Sequence, residues 1–396
     1  MGRDYGYYKA VFADRPPPFA FVDLDLLASN MRQILARAGG TRIRLASKSI
    51  RCVAVMERIL RADPLFAGLL CFTAAEAAWL SRQGFDDLVV GYPSWHADGI
   101  AALCDEVAAG KTVAAMADSL DHIDQLAAVA ARRGVVLPVC LDIDLSLDLP
   151  GLRFGVWRSP VRSVAQALAV AEAVERSPHL RLDGLMGYEA QVAGLGDRMP
   201  GQAAKNAVIR VLKRWSVLLA ARRRGAIVGA LARRGAALRF VNGGGTGSIE
   251  TTIREQAVTE VTVGSGFFAP TLFDNYQTFR HLPAAGFAIE IVRRPRADLY
   301  TCLGGGYVAS GAVGPEKLPA PYLPAGAALL PLEGAGEVQT PVQYRGPVRL
   351  APGDPIFMRH SKAGELCERF NELALVEDGA VVGAAPTYRG QGQAFL

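Results

Sequence analysis

The chain has 396 residues, 51% of them hydrophobic and 20% charged, which excludes global disorder and supplies enough apolar mass for one large barrel with an appended domain. Forty-three basic against 38 acidic residues leave a net charge of +5. That is mild for the length, and the clusters Arg222–Arg224 and Arg233–Arg234 read as a solvated helix face, with no nucleic-acid motif beside them.

Residues 1–20 carry no apolar leader run and end in Arg15-Pro16-Pro17-Pro18; they are expected to be an N-terminal extension that packs with the later β-domain. From residue 42 to about 268, short β-rich runs alternate with Ala/Leu/Arg-rich stretches of helical character. Strands are expected at Arg42–Ala46, Gly68–Phe72, Asp87–Tyr92, Val113–Ala117, Val139–Asp144, Leu182–Tyr188, Leu238–Asn242 and Glu260–Gly264. Helices are expected between them, for example at Ala74–Gln83, Leu120–Arg133 and Val161–Arg176. Eight alternations match an α/β chain folded as a (β/α)8 TIM-like barrel, assigned to residues 21–280, with a doubly wound open sheet as the competing reading.

After residue 280 the texture changes to short alternating segments: Ala288–Arg293, Gln339–Tyr344, Val348–Leu350, Leu373–Val376 and Ala380–Ala384. Turns at Gly346-Pro347, Pro352-Gly353 and Asp378-Gly379 separate them, so residues 281–396 are expected to form a C-terminal antiparallel β-domain. Leu318–Leu332 is free of charge but broken by Pro319, Pro321, Pro324 and Pro331, and no stretch reaches the ~20 apolar residues of a membrane-spanning helix. The six cysteines (Cys52, Cys71, Cys104, Cys140, Cys302, Cys367) show no CxxC spacing, so reduced thiols and a cytoplasmic location are expected.

In such a barrel the functional groups gather at the C-terminal ends of the strands, and phosphate often sits at the loops after the seventh and eighth. The seventh strand here runs into Asn242-Gly243-Gly244-Gly245-Thr246-Gly247-Ser248 and the eighth into Gly264-Ser265-Gly266. Glycines let backbone N–H groups close on an anion, and Thr246, Ser248 and Ser265 add hydroxyl donors. Tight turns also use glycine, but two such loops fall at the two phosphate positions, and neither fits a dinucleotide GxGxxG. The first strand ends in Ala46-Ser47-Lys48-Ser49, and Lys48 is the only lysine between Lys9 and Lys111. An amine together with a phosphate cradle is what pyridoxal 5′-phosphate requires. Farther along, Arg153 either pairs structurally with Asp144 or serves the barrel mouth, which Tyr188 at the end of the sixth strand also faces.

The run Arg44-Leu45-Ala46-Ser47-Lys48, the segment from Asp144 to Arg153-Phe154-Gly155-Val156, the run Gly184-Leu185-Met186-Gly187-Tyr188 and the late Pro352-Gly353-Asp354…His360 stretch together resemble the fold-type III pyridoxal-phosphate enzymes. Among these the sequence looks most like the D-threonine aldolase and D-serine dehydratase branch of the alanine racemase superfamily, in order along nearly the whole chain. The resemblance implies that Lys48 carries the cofactor and that Arg153 faces its pyridine nitrogen. It places Tyr188 beside cofactor and substrate, and Gly244, Gly245, Thr246, Gly264 and Ser265 at the phosphate. A homodimer acting on a small amino-acid substrate is implied as well.

One departure stands out. The branch carries a metal-binding His-x-Asp or His-x-Cys pair in its C-terminal domain, whereas this chain reads His360-Ser361-Lys362. A protonated lysine cannot ligate a divalent metal. Either Lys362 supplies the positive charge itself, or a Mn, Mg or Zn ion is held by His360 with Glu365 or Cys367. His360 is expected to handle the substrate hydroxyl in both cases. The expected reaction is retro-aldol cleavage of a D-configured β-hydroxy amino acid to a glycine-like amino acid and an aldehyde. A dehydratase giving a 2-oxo acid and ammonia is the alternative. Behind it stand a racemase, for which Tyr300, Tyr307 and Tyr322 are available, and a non-catalytic pyridoxal-phosphate carrier, against which the second domain counts.

Overall fold

Eight short, largely buried strands close into a parallel barrel: β1 (Arg42–Ala46), β2 (Phe66–Cys71), β3 (Leu88–Val90), β4 (Val113–Ala117), β5 (Leu137–Ile143), β6 (Leu180–Gly187), β7 (Phe240–Gly243) and β8 (Glu260–Val263). They neighbour one another in chain order, and β8 returns to β1 with Glu260 opposite Arg42 and Val263 opposite Leu45. Closure excludes the open-sheet reading. This computed structural model describes residues 3–312, 314–362 and 364–396, and the chain forms two compact units. The barrel unit comprises Leu35–Lys48, Arg58–Gly264 and Phe395–Leu396.

Local chemistry sets the helix limits. Thr73, Ser119 and Ser163 cap the helices Ala74–Arg82, Leu120–Arg133 and Val164–Arg176, each hydroxyl accepting from the amide three residues on. Gly134 ends the second of these in the left-handed region. Inside the barrel, Val89, Ala114, Met116, Cys140, Met186 and Phe240 pack together. Gly184 is required there, because a Cβ would collide with the Phe240 ring. A polar ladder crosses the same interior. Arg44, fully buried, donates to Glu260 at 2.6 and 2.9 Å, and Asn242 Nδ2 donates to Glu260 at 2.9 Å and to Thr262 at 2.8 Å. The buried charge is therefore paired rather than isolated.

The other unit takes the chain up to Ile34, Ser49–Glu57 and Ser265–Ala394. Its sheet has nine strands among the described residues, running along a main path of Ala328–Leu329, Gln339–Gln343, Leu299–Leu303, Ala285–Arg296, Phe19–Asp23, Glu372–Glu377 and Ala380–Pro386. Pro355–Arg359 pairs with Ala285–Arg296 and with Ala320–Leu323. Phe19–Asp23, within the stretch assigned mostly to the barrel, belongs to this sheet and runs parallel to Glu372–Glu377, so the sheet is mixed rather than wholly antiparallel. Tyr8 and Phe12 of the N-terminal segment lie against Phe21 of that strand, ring centroids 5.1 and 5.2 Å apart. The strand expected at Val348–Leu350 does not form; with Pro347 before it and Pro352 after it, too few amides remain for a ladder. All six cysteines are buried and free. Among the described residues no helix is long and apolar enough to cross a membrane.

Candidate active site

Parallel strands in a closed barrel put all their C-terminal ends on one rim, so Lys48, Tyr92, Asp118, Asp142, Tyr188 and the loop after Gly243 share that rim. Lys48 follows β1 in a single turn of 3-10 helix, and its Nζ donates to Tyr92 Oη at 2.6 Å. Burial pushes the Tyr92 phenol up, but the Lys48 charge and hydrogen bond, with Arg158, outweigh it and bring the net direction down. Among the described residues no lysine donates to Tyr188, and burial raises its phenol to about 12.

The glycine loop after β7 is fixed from beneath by Glu189. This buried carboxylate accepts from Gly244 N at 3.2 Å, Ser248 Oγ at 3.1 Å and Arg224 Nη2 at 2.9 Å, and also from Thr252 Oγ1. A Cβ at Gly245 would lie 2.9 Å from the Ala193 methyl and 3.1 Å from the Tyr188 ring. The backbone thus approaches where no side chain fits. Gly244 lends its amide to Glu189 and Gly245 its amide to Ser248 Oγ, while Gly247 has no hydrogen-bond partner among the described residues. Gly264 closes the end of β8, and Ser265, in the other unit, lies 3.3 Å from Ser49, hydroxyl to hydroxyl.

Next to Tyr92 opens a cavity of about 340 Å³, whose lining includes Tyr92, His122, Asp142, Arg158, Ser159 and Tyr188. Arg153 is not among its walls. Its guanidinium sits on the hairpin Leu147–Leu149/Leu152–Phe154, 3.0 Å from Asp144 and 2.9 Å from the Val156 carbonyl, stacked 3.7 Å from the Trp157 ring. The structural pair with Asp144 is thus what forms, and the cation that reaches the cavity is Arg158. Asp142 is held up to about 8 by burial and then by the neighbouring Asp118, against the pull of Arg158. His122 Nδ1 stands 3.0 Å from Asp118, whose carboxyl is raised by burial despite that partner.

His360, Lys362, Glu365 and Cys367 belong to the other unit. His360 is 2% exposed and neither ring nitrogen has a hydrogen-bond partner among the described residues; burial and then Arg359 push it down to about 3, so it is a neutral imidazole. Lys362 Nζ lies 3.4 Å from Ser310 Oγ, and Glu365 accepts from the same serine's amide and hydroxyl at 3.1 Å. The Cys367 thiol donates to the Ile50 carbonyl at 3.1 Å, and burial raises it well above the usual thiol range. Among the described residues no three His, Cys, Asp or Glu side chains come together as a metal site. The orphaned imidazole would suit a metal; a lysine, a hydrogen-bonded carboxylate and a protonated thiol as its companions do not.

The alanine racemase N-terminal domain model matches residues 22–268, well over half of the chain. The chain belongs to that family. Two 3-hydroxy-D-aspartate aldolases of Paracoccus denitrificans are 26% and 28% identical to it over 253 and 255 residues, 63% of this chain. The match spans 60% of the length of those relatives. The crystal structure of D-threonine aldolase from Filomicrobium marinum superposes with a TM-score of 0.79 at 19% identity, covering 96% of both chains. D-threo-3-hydroxyaspartate dehydratase from Delftia sp. HT23 superposes at 0.71 and 18%, covering 93% of this chain and 97% of that one. The fold is therefore that of the alanine racemase family, a (β/α)8 barrel with a separate β-sheet domain.

The rim offers the cofactor this fold implies, pyridoxal phosphate, the Lys48 amine, and at Gly245 a backbone that comes close because no side chain stands there. Sequence reasoning missed Tyr92, Asp118, His122 and Arg158. Tyr92 and Asp118 lie one or two residues past β3 and β4, where the strand-end rule could have found them; Arg158 carried no signal.

Proposed function

We propose that this alanine racemase family member cleaves D-configured β-hydroxy amino acids to a glycine-like amino acid and an aldehyde, using pyridoxal phosphate. The identity to two 3-hydroxy-D-aspartate aldolases, together with Lys48 at the end of β1, carries the reading. Lys48 would hold the cofactor, and Gly244, Gly245 and Thr246 with Gly264 and Ser265 its phosphate. Bound there, pyridoxal phosphate supplies a sink for the electron pair left at Cα. Tyr92 accepts the hydrogen bond of the Lys48 amine and so orients it. Tyr188 closes one wall.

In the cleavage, the β-hydroxyl loses its proton, its O–H pair becomes the new carbonyl bond, and the Cα–Cβ pair stays on Cα until a proton completes the amino acid. His360, neutral and with both nitrogens unbonded, is assigned the hydroxyl proton, and Lys362 the positive charge near it in sequence. We assign no metal to this step. The protein is read as a cytoplasmic homodimer.

One observation favours a second reading. Asp142 keeps its proton at neutral pH and lines the cavity, so it can protonate a departing hydroxyl, as dehydration to a 2-oxo acid and ammonia requires. The test is a panel of D- and L-β-hydroxy amino acids assayed separately for aldehyde and ammonia, with and without a chelator. Aldehyde from the D series alone, undiminished by chelation, is expected. Ammonia without aldehyde would move the assignment to dehydration, and exchange of D for L without either product would make the protein a racemase.

A further inference from the structure

We propose that Arg158 binds a second, side-chain carboxylate of the substrate, so that acidic β-hydroxy amino acids are preferred over neutral ones; the proposal rests on the aldolase reading above. Asp144 is consumed by Arg153 at 3.0 Å, Arg162 at 3.1 Å and the Ser146 hydroxyl at 2.6 Å. Asp118 is consumed by His122 at 3.0 Å. Asp142, the remaining carboxyl, is protonated at neutral pH and is a donor rather than a repelling charge.

Arg158 is different. It lines the cavity, yet it makes no hydrogen bond or ion pair among the described residues. Its guanidinium carbon stands 5.6 Å from the Tyr92 ring centroid and 5.5 Å from that of Tyr188. Two aromatic faces thus steady a planar fork whose N–H groups are unclaimed, which is the arrangement that receives a carboxylate with two parallel hydrogen bonds.

Position distinguishes the second carboxylate from the first. Lys48 Nζ donates to the Tyr92 hydroxyl, and the Arg158 guanidinium touches the rings of both Tyr92 and Tyr188. Both cations thus border the same tyrosine, Lys48 Nζ 5.2 Å and the Arg158 guanidinium carbon 5.6 Å from its ring centroid. A substrate whose amino group takes the place of the Lys48 amine has its α-carboxylate only two bonds from that nitrogen, and the carboxylate at the far end of the chain reaches farther. The cavity of about 340 Å³ is at the small end for ligand sites and suits a short chain.

The experiment compares wild type, Arg158→Met and Arg158→Lys by kcat/KM on 3-hydroxy-D-aspartate and on D-threonine, and by calorimetric binding of succinate. In Arg158→Met the preference for the acidic substrate should fall on the order of 10²-fold, chiefly through KM, as for loss of one charge-assisted bidentate contact. Succinate binding should weaken in step, and Arg158→Lys should recover part of both. An equal loss on both substrates would assign Arg158 to the α-carboxylate and overturn the proposal. So would an unchanged preference, or a variant that no longer retains pyridoxal phosphate. Succinate binding needs no turnover, so its loss or persistence in Arg158→Met separates a failed subsite from a failed aldolase reading.

Discussion

Arg224→Met should destabilise the protein by about 3–5 kcal/mol in urea unfolding, the cost of removing one partner from a buried charged network. Arg224 is fully buried and donates to Glu189, to the Gly187 carbonyl at 2.9 Å and to Glu255. Methionine fills much of the same space, so little of the loss is a cavity. What remains is two buried carboxylates with no counter-charge. Burial already pushes Glu255 up with Arg224 present, and without it both groups must either stay ionised at a cost or take up protons. Stability of the variant should therefore fall more at pH 8 than at pH 5. The effect should also reach the rim, since Glu189 holds the Gly244 amide at 3.2 Å and Gly243 lies directly over the guanidinium. Combining Arg224→Met with Glu189→Gln and Glu255→Gln removes the unpaired charges and should recover most of the loss. A fully stable single variant would mean that the network holds nothing in place.

Asp142 should make the protein less stable as pH rises. In the unfolded chain its carboxyl ionises near 3.8, whereas in the fold it keeps its proton to about 8. Between those values the folded state holds a proton that the unfolded state has released, so raising the pH favours unfolding. The slope is about 1.4 kcal/mol per pH unit at most, up to about 6 kcal/mol in all for this group, and it levels off above pH 8. Asp142→Asn removes the titration. The difference in stability between variant and wild type should therefore be near its minimum at pH 4 and grow in favour of the variant up to pH 8.5. Parallel curves across that range would show that Asp142 is ionised in the fold and faces solvent.

Much of the barrel was legible because its signals are local and repeated. Each strand is a short apolar run, three of the helices begin at the hydroxyl caps Thr73, Ser119 and Ser163, and the eight expected strands fall within two residues of those that form. The second sheet was harder to read. The ladder of Ala320–Leu323 with Pro355–Arg359 joins segments far apart in sequence, and Val348–Leu350 had the right texture but prolines on both sides. Lys48 and the glycine loop could be placed because a strand end fixes where the backbone goes. Arg153 and Arg158 could not be told apart that way. They lie five residues apart on one excursion after β5, and its hairpin turns the first onto Asp144 and leaves the second over Tyr92 and Tyr188. The proton on Asp142 was equally hidden, because it comes from burial beside Asp118, a residue on another strand end.

Lys48, at the rim of the barrel after β1, is proposed to carry the cofactor. Borohydride reduction of the purified protein loaded with pyridoxal phosphate, followed by peptide mapping, tests it directly. One reduced pyridoxyl adduct, on Lys48, is expected. An adduct on Lys111 or Lys362 in its place, or none at all, would contradict it.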